Sequence, residues 1–409
     1  MSLGCLVDQA FLFAIMWTNR AFCFTKRCMS GTKSKLTVWE SACIITGYGI
    51  GGGVMAMPLL TKSCGIIGAF ALLTIAFLSS VILHLMIAEL SMKSGKDGQI
   101  ISVFSKYLFT GKRKKAMTMA FFIIMLLVLF TNLAAYIEGA MEILSPLLGI
   151  SQMGARLLFY CVAAFVVLFG LKAVGVSEKI AVAIIYALVL VLSFSSFFNI
   201  SNPLPLELGP LNFLLAYFGM AMFAFSAFFS VPQAVKGLDG DARKIKKAVV
   251  LGMLNNYILI ILITVSSLLS SPEVTEVAMV GWSKGIGAWA ELVGSLFTLL
   301  AMVTTYWSIS LALSDIVEEQ TRLDRRACWL IATLPSLLLT LLPIAGFMEF
   351  MRLAGGLIAI IVAVMVIPAF RKSREEKGES IFNGYGGTGL QLAIALMYLL
   401  MAVGNVVTI

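Results

Sequence analysis

Residues 46–58 read TGYGIGGGVMAMP, with five glycines between positions 47 and 53 and a proline at position 58. Glycine is a poor helix former, and a cluster of glycines leaves the backbone free to unwind. The stretch from 41 to 61 contains no charged side chain, so it is long and apolar enough to cross a bilayer. The sequence therefore predicts a membrane span whose helix is interrupted at its centre.

The whole chain has the composition of a membrane protein. Its 409 residues are 60% hydrophobic and 12% charged, whereas soluble domains are about 45–50% apolar and about 25% charged. Because a strand-like alternation is absent, helices are the remaining way to span a bilayer. Eleven stretches lack Asp, Glu, Lys and Arg: 41–61, 63–88, 116–137, 157–171, 180–206, 208–235, 248–272, 292–314, 327–348, 353–370 and 380–409. We therefore predict an all-α polytopic membrane protein with about eleven transmembrane helices, embedded in a lipid bilayer.

The distribution of basic residues predicts the orientation. Of the 30 Lys and Arg residues, 26 fall at the N-terminus and in every second loop after it. By the positive-inside rule, the N-terminus is cytoplasmic and the C-terminus lies outside the cytoplasmic (inner) membrane. The net charge of +9 then reflects topology rather than nucleic-acid binding, because no loop is long enough to fold a domain. Residues 1–35 are predicted to form a cytoplasmic extension.

A second span also carries signs of an interruption. Residues 217–235 read YFGMAMFAFSAFFSVPQAV, with Gly219 and Ser226 near mid-depth and Pro232 late in the span. This sixth span runs opposite to the first, and interrupted helices at matching places in two inverted halves indicate a transporter's binding site. We predict an inverted five-plus-five repeat with broken first and sixth helices. Its parts would be repeats at 36–200 and 201–372, followed by a linker and a peripheral eleventh helix at 373–409.

Broken helices suit the chemistry of a zwitterion. Free N–H groups at a half-helix N-terminus bind a carboxylate, and carbonyls at a half-helix C-terminus accept from an ammonium group or ligate a cation. The favoured function is therefore secondary transport of an amino acid. The alternative for the first span alone is close helix packing through Gly49 and Gly53. His84 has no Cys or His neighbour in the sequence, and the seven cysteines form no CxxC pair, so no metal site or cofactor is expected.

With these residues in view, the chain resembles the amino acid/auxin permease family and its bacterial aromatic amino-acid permease relatives, within the amino acid–polyamine–organocation superfamily. The resemblance covers roughly residues 36–408. It rests on a glycine–proline pattern in the first span, on FAFS…P in the sixth, and on VTTYWSISLALSD at 303–315. The residues of the first two motifs are Gly51, Gly53, Pro58 and Gly65, and Phe223 to Ser226 with Pro232.

The resemblance implies a substrate site at the two interruptions. The backbone of Gly51, Gly52 and Gly53 would bind the carboxylate, and carbonyls near Gly49, Phe223 and Phe225 would take the ammonium. The side-chain pocket would be lined by Phe223, Phe225 and Phe228, with Ser226 in the same stretch. Tyr136 is a candidate cap, with simple packing as its alternative. Thr304 and Thr305 fall where sodium-coupled relatives place cation ligands, so Na+ and H+ both remain candidate coupling ions.

The phenylalanines favour a neutral, apolar or aromatic amino acid as the imported substrate. Three other classes of function have less support in the sequence. Motifs of hydrolytic or nucleotide-dependent enzymes are missing from the sequence, so the chain is not expected to be an enzyme. A transporter-like nutrient sensor would usually add a long soluble tail. A carrier of another organic amine would be expected to place a carboxylate near the sixth-span interruption, where none stands.

Overall fold

The structure, a computed structural model, describes residues 35–95, 98–275, 278–342, 350, 365–376, 379–382 and 385–407. Residues 1–34 of the predicted extension, and most of the predicted span at 353–370, lie outside the described residues. In the described part of the chain every regular element is an α-helix. The prediction of an all-α membrane protein is confirmed.

The first span is two helices rather than one. Helix α1 (Val38–Gly49) begins with a capping box, in which Thr37 and Glu40 each bond the other's backbone N–H. It ends because Ile50 leaves the helical region and Gly51 is extended, with ψ −152°. Helix α2 (Gly52–Cys64) then continues at 60° to α1. The interruption predicted from the glycines is therefore present.

A glycine also makes the sharp connection that follows the first span. Gly65 has φ +81°, and a Cβ at this position would overlap the carbonyl oxygen of Glu207. The positive φ favours glycine because residues with a side chain rarely adopt this conformation. The overlap favours glycine because there is no room for a Cβ atom. The rest of the first half consists of helices α3 (Ile66–Ser94), α4 (Ile100–Tyr107), α5 (Lys114–Leu148), α6 (Gln152–Leu168) and α7 (Leu171–Ser196).

The sixth span is broken as well, and of the three sequence signals only Ser226 lies in the break. Helix α8 (Leu211–Ala224) and helix α9 (Ser230–Gly237) are separated by residues 225–229, which are not helical. Ser226 lies in this break. Pro232 stands in the first turn of α9, where proline is tolerated. Gly219 lies inside α8, so neither of these two residues makes the interruption.

The remaining helices surround the two broken spans. They are α10 (Ala242–Ser270), α11 (Ala278–Ile286), α12 (Ala288–Thr321), α13 (Arg325–Thr340) and α14 (Thr388–Val406), and residues 365–373 are helical too. Helix α1 packs against α7, α10 and α12, and α2 packs against α8. The unwound segments are thus enclosed by protein, as they must be in a membrane, because lipid cannot satisfy free backbone groups.

Lipid-facing surface is recognisable on the outer helices. Leu127 of α5 and Phe194 of α7 are 61% and 66% exposed, which is expected of side chains that meet hydrocarbon rather than water. Helix α14 has one side that faces lipid and one side that packs against protein. Its Gly404 packs on the Leu215 carbonyl of α8, and Gly219 of α8 packs on Gly404 in return. Small residues at this crossing let the two backbones approach closely.

Within the described residues, six helices are long and apolar enough to cross a membrane, and the bent pair α1 and α2 makes a seventh span. Four of the eleven uncharged stretches do not meet these criteria. Helix α6 has only 17 residues, α8 and α9 are separated by a break, α13 has 16 residues, and most of 353–370 lies outside the described residues. The number of crossings and the division into repeats at 36–200 and 201–372 stay predictions.

Candidate functional site

A small cavity lies between the two breaks. Its lining comes from the first span, from α5 and from the end of α8: Tyr48, Gly49, Gly51, Gly53, Asn132, Tyr136, Phe223, Ala224 and Ser226. Its volume of about 20 Å³ has room for roughly one water molecule. An amino acid would therefore have to push the lining side chains apart, and this narrow conformation of the site is called the closed form.

Six of the predicted substrate-site residues meet in this lining. They are Gly49, Gly51, Gly53, Tyr136, Phe223 and Ser226. Gly52, a seventh predicted residue, is the first residue of α2. Sequence reasoning missed Tyr48, Asn132 and Ala224, which carry no signal beyond their place next to predicted residues or in an apolar helix.

Gly51 brings Tyr136 and Thr305 to the first break. A Cβ on Gly51 would overlap the Tyr136 hydroxyl and would lie 3.1 Å from the Thr305 Oγ1. Glycine at this position therefore lets two hydroxyl groups, from α5 and α12, reach the unwound backbone. The polar end of Tyr136, and not only its ring, therefore touches the first break, and its role as a cap stays a prediction.

Asn256 of α10 lies between the two breaks and was not predicted. A Cβ on Gly49 would overlap its amide nitrogen and would lie 3.4 Å from the Ala224 carbonyl oxygen. The side chain is fully buried, and neither amide atom has a hydrogen-bond partner among the described residues. A buried amide without partners is costly, so this group is poised to bond a ligand or water. Its one signal in the sequence is an Asn255–Asn256 pair inside an apolar helix.

Two predicted pocket residues lie elsewhere. Phe225 packs against Phe77 and Tyr257, with ring centroids 5.9 and 6.5 Å apart. Phe228 stacks on His84 at 5.0 Å. Neither belongs to the cavity lining of this closed form. Because residues 225–229 are not helical, helical spacing from Phe223 does not place their side chains on the same face.

His84 holds the second break in place. Its Nδ1 lies 2.6 Å from the Ser80 carbonyl oxygen, and its Nε2 accepts from the backbone N–H of Ala227 at 3.0 Å. A ring that donates at Nδ1 and accepts at Nε2 is neutral. The imidazole thus satisfies an amide that the missing helical turn would otherwise leave unpaired. His84 therefore stabilises the unwound backbone by accepting a hydrogen bond from it.

The two predicted cation ligands, Thr304 and Thr305, form hydrogen bonds with different parts of the protein. Thr305 of α12 donates from Oγ1 to the Gly47 carbonyl oxygen of α1 at 2.8 Å. Thr304 bonds the Ala301 carbonyl within its own helix. Ser308 Oγ lies 3.2 Å from the Ile44 carbonyl oxygen. Ser308 follows Thr305 by three residues, so both lie on the same face of α12. The contact between α12 and the first span therefore runs through Thr305 and Ser308 rather than through Thr304.

The chain is similar in sequence to known amino-acid transport proteins. The profile of the tryptophan/tyrosine permease family matches residues 34–407. Tyrosine-specific transport system 1 of Haemophilus influenzae is 25% identical over 394 residues, covering 87% of this chain and 93% of that protein. Glutamine transporter 2 of Aliivibrio fischeri is 22% identical over 385 residues, covering 88% and 96%.

A solved structure shares the fold. It is Mhp1, a nucleobase-cation-symport-1 family transporter in a closed conformation with bromovinylhydantoin bound. The TM-score is 0.66 at 12% identity, with 91% of each chain covered. The family match confirms the aromatic amino-acid permease part of the resemblance, and it confirms that the chain is a transporter rather than an enzyme. The chain belongs to the tryptophan/tyrosine permease family.

Proposed function

We propose that this permease imports a neutral amino acid with an apolar or aromatic side chain by alternating access, driven by a coupled cation. The observation that carries the proposal is that both helix breaks contribute to the lining of one cavity among the described residues. The tyrosine and glutamine transporters named above are both amino-acid carriers by name, which supports the class of substrate. Because those two substrates differ in polarity, the side-chain preference has to come from the lining of the cavity.

The carboxylate is proposed to bind at the start of α2. The first backbone N–H groups of a helix have no partner within that helix, and the helix dipole adds positive potential there. Gly51 precedes α2 and Gly52 and Gly53 begin it, so no Cβ shields these amides. An anion can therefore approach the main chain directly.

The ammonium group is proposed to bind between the C-terminal ends of α1 and α8. Carbonyl groups at these ends carry negative potential, and the Ala224 carbonyl lies close to Gly49. The described residues that line the cavity are all uncharged, so backbone groups and the Asn132 side chain would do the binding. Asn132 Oδ1 is buried without a partner among the described residues, which makes it a second candidate acceptor.

The side chain is proposed to lie against Phe223, with Tyr136 closing the site. Phe225 and Phe228 would join the wall only after the break rearranges, since they face other partners in the closed form. Coupling to Na+ or H+ is proposed to run through the contact of Thr305 with the first span, with Thr304 as the neighbouring hydroxyl. The wider placement in the amino acid/auxin permease family and its superfamily is part of the same proposal.

The orientation is proposed to be a cytoplasmic N-terminus and an external C-terminus in the inner membrane, following the basic loops. A reporter placed after Lys115 should be active in the cytoplasm, and the same reporter at the C-terminus should be active outside. A cytoplasmic signal from the C-terminal fusion would show that the number of crossings is even and that the eleven-span prediction is wrong.

Competition for uptake tests the substrate class. Purified protein in proteoliposomes should accumulate labelled tyrosine or phenylalanine, and unlabelled Tyr, Phe, Trp or Leu should compete much better than Gly. A well-placed apolar contact contributes about 1–3 kcal/mol, or roughly 10–200-fold in discrimination. Glutamine is the informative polar competitor, because one relative is a glutamine transporter by name. Lysine, glutamate or a polyamine as the best competitor would contradict the proposal.

A further inference from the structure

Glu178 of α7 is a fully buried carboxyl group that the substrate site does not use. Its exposure is 0%, and its Oε1 lies 2.7 Å from the Ser308 Oγ, which donates to it. Its other oxygen, Oε2, has no hydrogen-bond partner among the described residues. In the sequence, Glu178 falls between the uncharged stretches 157–171 and 180–206, beside Lys172 and Lys179, which count among the basic residues of the predicted cytoplasmic loops. In the structure this interval is helical, because α7 begins at Leu171.

The carboxyl group lies directly against the first span. A Cβ on Gly47 would overlap Glu178 Oε2, so glycine at position 47 makes the room for this oxygen. The Gly47 carbonyl accepts from Thr305, and Thr305 in turn lies against Gly51 at the lining of the cavity. A continuous set of contacts therefore joins the buried carboxyl to the unwound backbone that is proposed to bind the substrate.

No cation is recorded beside Glu178 in the described part of the chain. The lysines on its own helix serve Glu40 of α1: Lys172 lies 2.6 Å and Lys179 3.8 Å from its carboxyl oxygens. On the helices packed against α7, Lys236 of α9 lies 3.5 Å from Asp315 of α12. Arg156 of α6 bonds Glu138 of α5 with two nitrogens. The charged groups around Glu178 are therefore engaged with one another.

Among the described residues, Cys43 of α1 also interacts electrostatically with Glu178. A thiol is neutral in such a buried setting and cannot balance a carboxylate. An ionised carboxylate without a cation costs many kcal/mol inside a protein, and ionisable groups in a membrane interior mark ion or proton pathways. In this closed form Glu178 thus needs a proton or a bound cation.

A proton fits the geometry better than a metal ion. The carbonyls of Ile44 and Gly47 already lie within hydrogen-bond distance of Ser308 and Thr305. Na+ at this place would have to displace those hydroxyl contacts in order to reach the carbonyl oxygens. A proton needs no such rearrangement, because it adds to a carboxylate oxygen and removes the buried charge.

We infer that Glu178 is the residue that binds the coupling proton in this permease. The carboxylate takes up one proton when the substrate enters from outside, the neutral acid permits the closed form, and the proton leaves to the cytoplasm with the substrate. The inference rests on the proposed transport function and adds to it the group that carries the driving ion. Glu178 thereby gives the contact between α7, α12 and the first span a role in transport.

The Glu178→Gln variant in proteoliposomes tests the inference, because glutamine copies the neutral acid but cannot titrate. We expect proton-driven accumulation of labelled amino acid to fall to the level of empty liposomes, and substrate-dependent proton entry, read with an internal pH dye, to disappear. Exchange of external for internal substrate should persist, because it needs no net proton movement. Glu142→Gln is the matched control, since Glu142 is an exposed carboxylate on α5. It should transport as the wild type does.

A second variant keeps the test valid should Glu178→Gln not fold. Ser308→Ala removes the donor that the described residues supply to the carboxylate, and the loss of a hydrogen bond to a charged group corresponds to about one to two pH units. Its loss favours the protonated form, so the pH midpoint of uptake should move upward by about that amount.

Three results would overturn the inference while the transport proposal stands. They are unchanged proton-driven accumulation in Glu178→Gln, wild-type uptake that follows a sodium gradient without proton entry, and a pH midpoint that does not move in Ser308→Ala. Failure of the wild type to carry any amino acid would instead overturn the transport proposal itself.

Discussion

Replacement of Gly53 with valine is expected to reduce amino-acid uptake on the order of 100-fold, the effect of a displacement of about 1 Å at a binding site. A Cβ on Gly53 would lie 3.0 Å from the Cα and 3.2 Å from the Cβ of Ala224, and 3.1 Å from Cδ1 of Phe223. These atoms belong to the end of α8, so valine forces the two breaks apart. The overpacking should lower stability by only about 1–3 kcal/mol.

Uptake and melting temperature have to be measured on the same preparation of the Gly53→Val protein. Gly389→Val is the matched control, because a Cβ on Gly389 in α14 would meet nothing within 4 Å. If glycine at 53 serves only close helix packing, stability and uptake should fall together and exchange by the remaining folded protein should be normal. If the Gly53→Val protein folds well and takes up substrate as fast as the wild type, Gly53 is not part of the substrate site.

Replacement of Glu89 with alanine is expected to lower the free energy of unfolding by about 3–5 kcal/mol, the cost of leaving a buried charge without its partner. Glu89 is 1% exposed and pairs with Lys93 at 2.9 Å. It also accepts from the Ser380 hydroxyl and from the backbone N–H groups of Ile381 and Phe382. One carboxylate on α3 thus anchors the segment that precedes α14.

The ion pair of Lys106 with Glu376 provides the control for Glu89. It has the same N–O distance of 2.9 Å, but its side chains are 39% and 41% exposed. Exposed pairs contribute about 0.2–1 kcal/mol, so Glu376→Ala should change the melting temperature little. Equal losses in the two variants, measured by thermal unfolding in detergent, would show that burial of the Glu89 cluster does not stabilise the fold as described.

The first break could be predicted from sequence because its cause is local. Five glycines in seven residues weaken any helix, and the structure ends α1 within that cluster. The second break has a different origin. Residues 225–229 read FSAFF and contain neither glycine nor proline, so local propensity gives no warning. Contacts from elsewhere stabilise this break, including the bond from the Ala227 N–H to His84 of α3.

The polar groups around the site were harder to predict for a related reason. Asn256 and Glu178 lie in other helices, far along the chain from the glycines they touch. Both carry buried polar atoms that have no hydrogen-bond partner among the described residues, namely the amide atoms of Asn256 and Oε2 of Glu178, and this is a property of the packed bundle. Glu178 was further obscured by its flanking lysines, which resemble a cytoplasmic loop but pair with Glu40 at the start of α1.

The most direct test of the site is a structure of the purified protein with bound L-tyrosine or L-phenylalanine. We expect the carboxylate within about 3 Å of the backbone nitrogens at the start of α2, the ammonium group against the Ala224 carbonyl, and the ring beside Phe223. The volume of the cavity between the breaks should be larger than the present value of about 20 Å³. Clear density for the amino acid at any place other than between the two breaks would contradict the account.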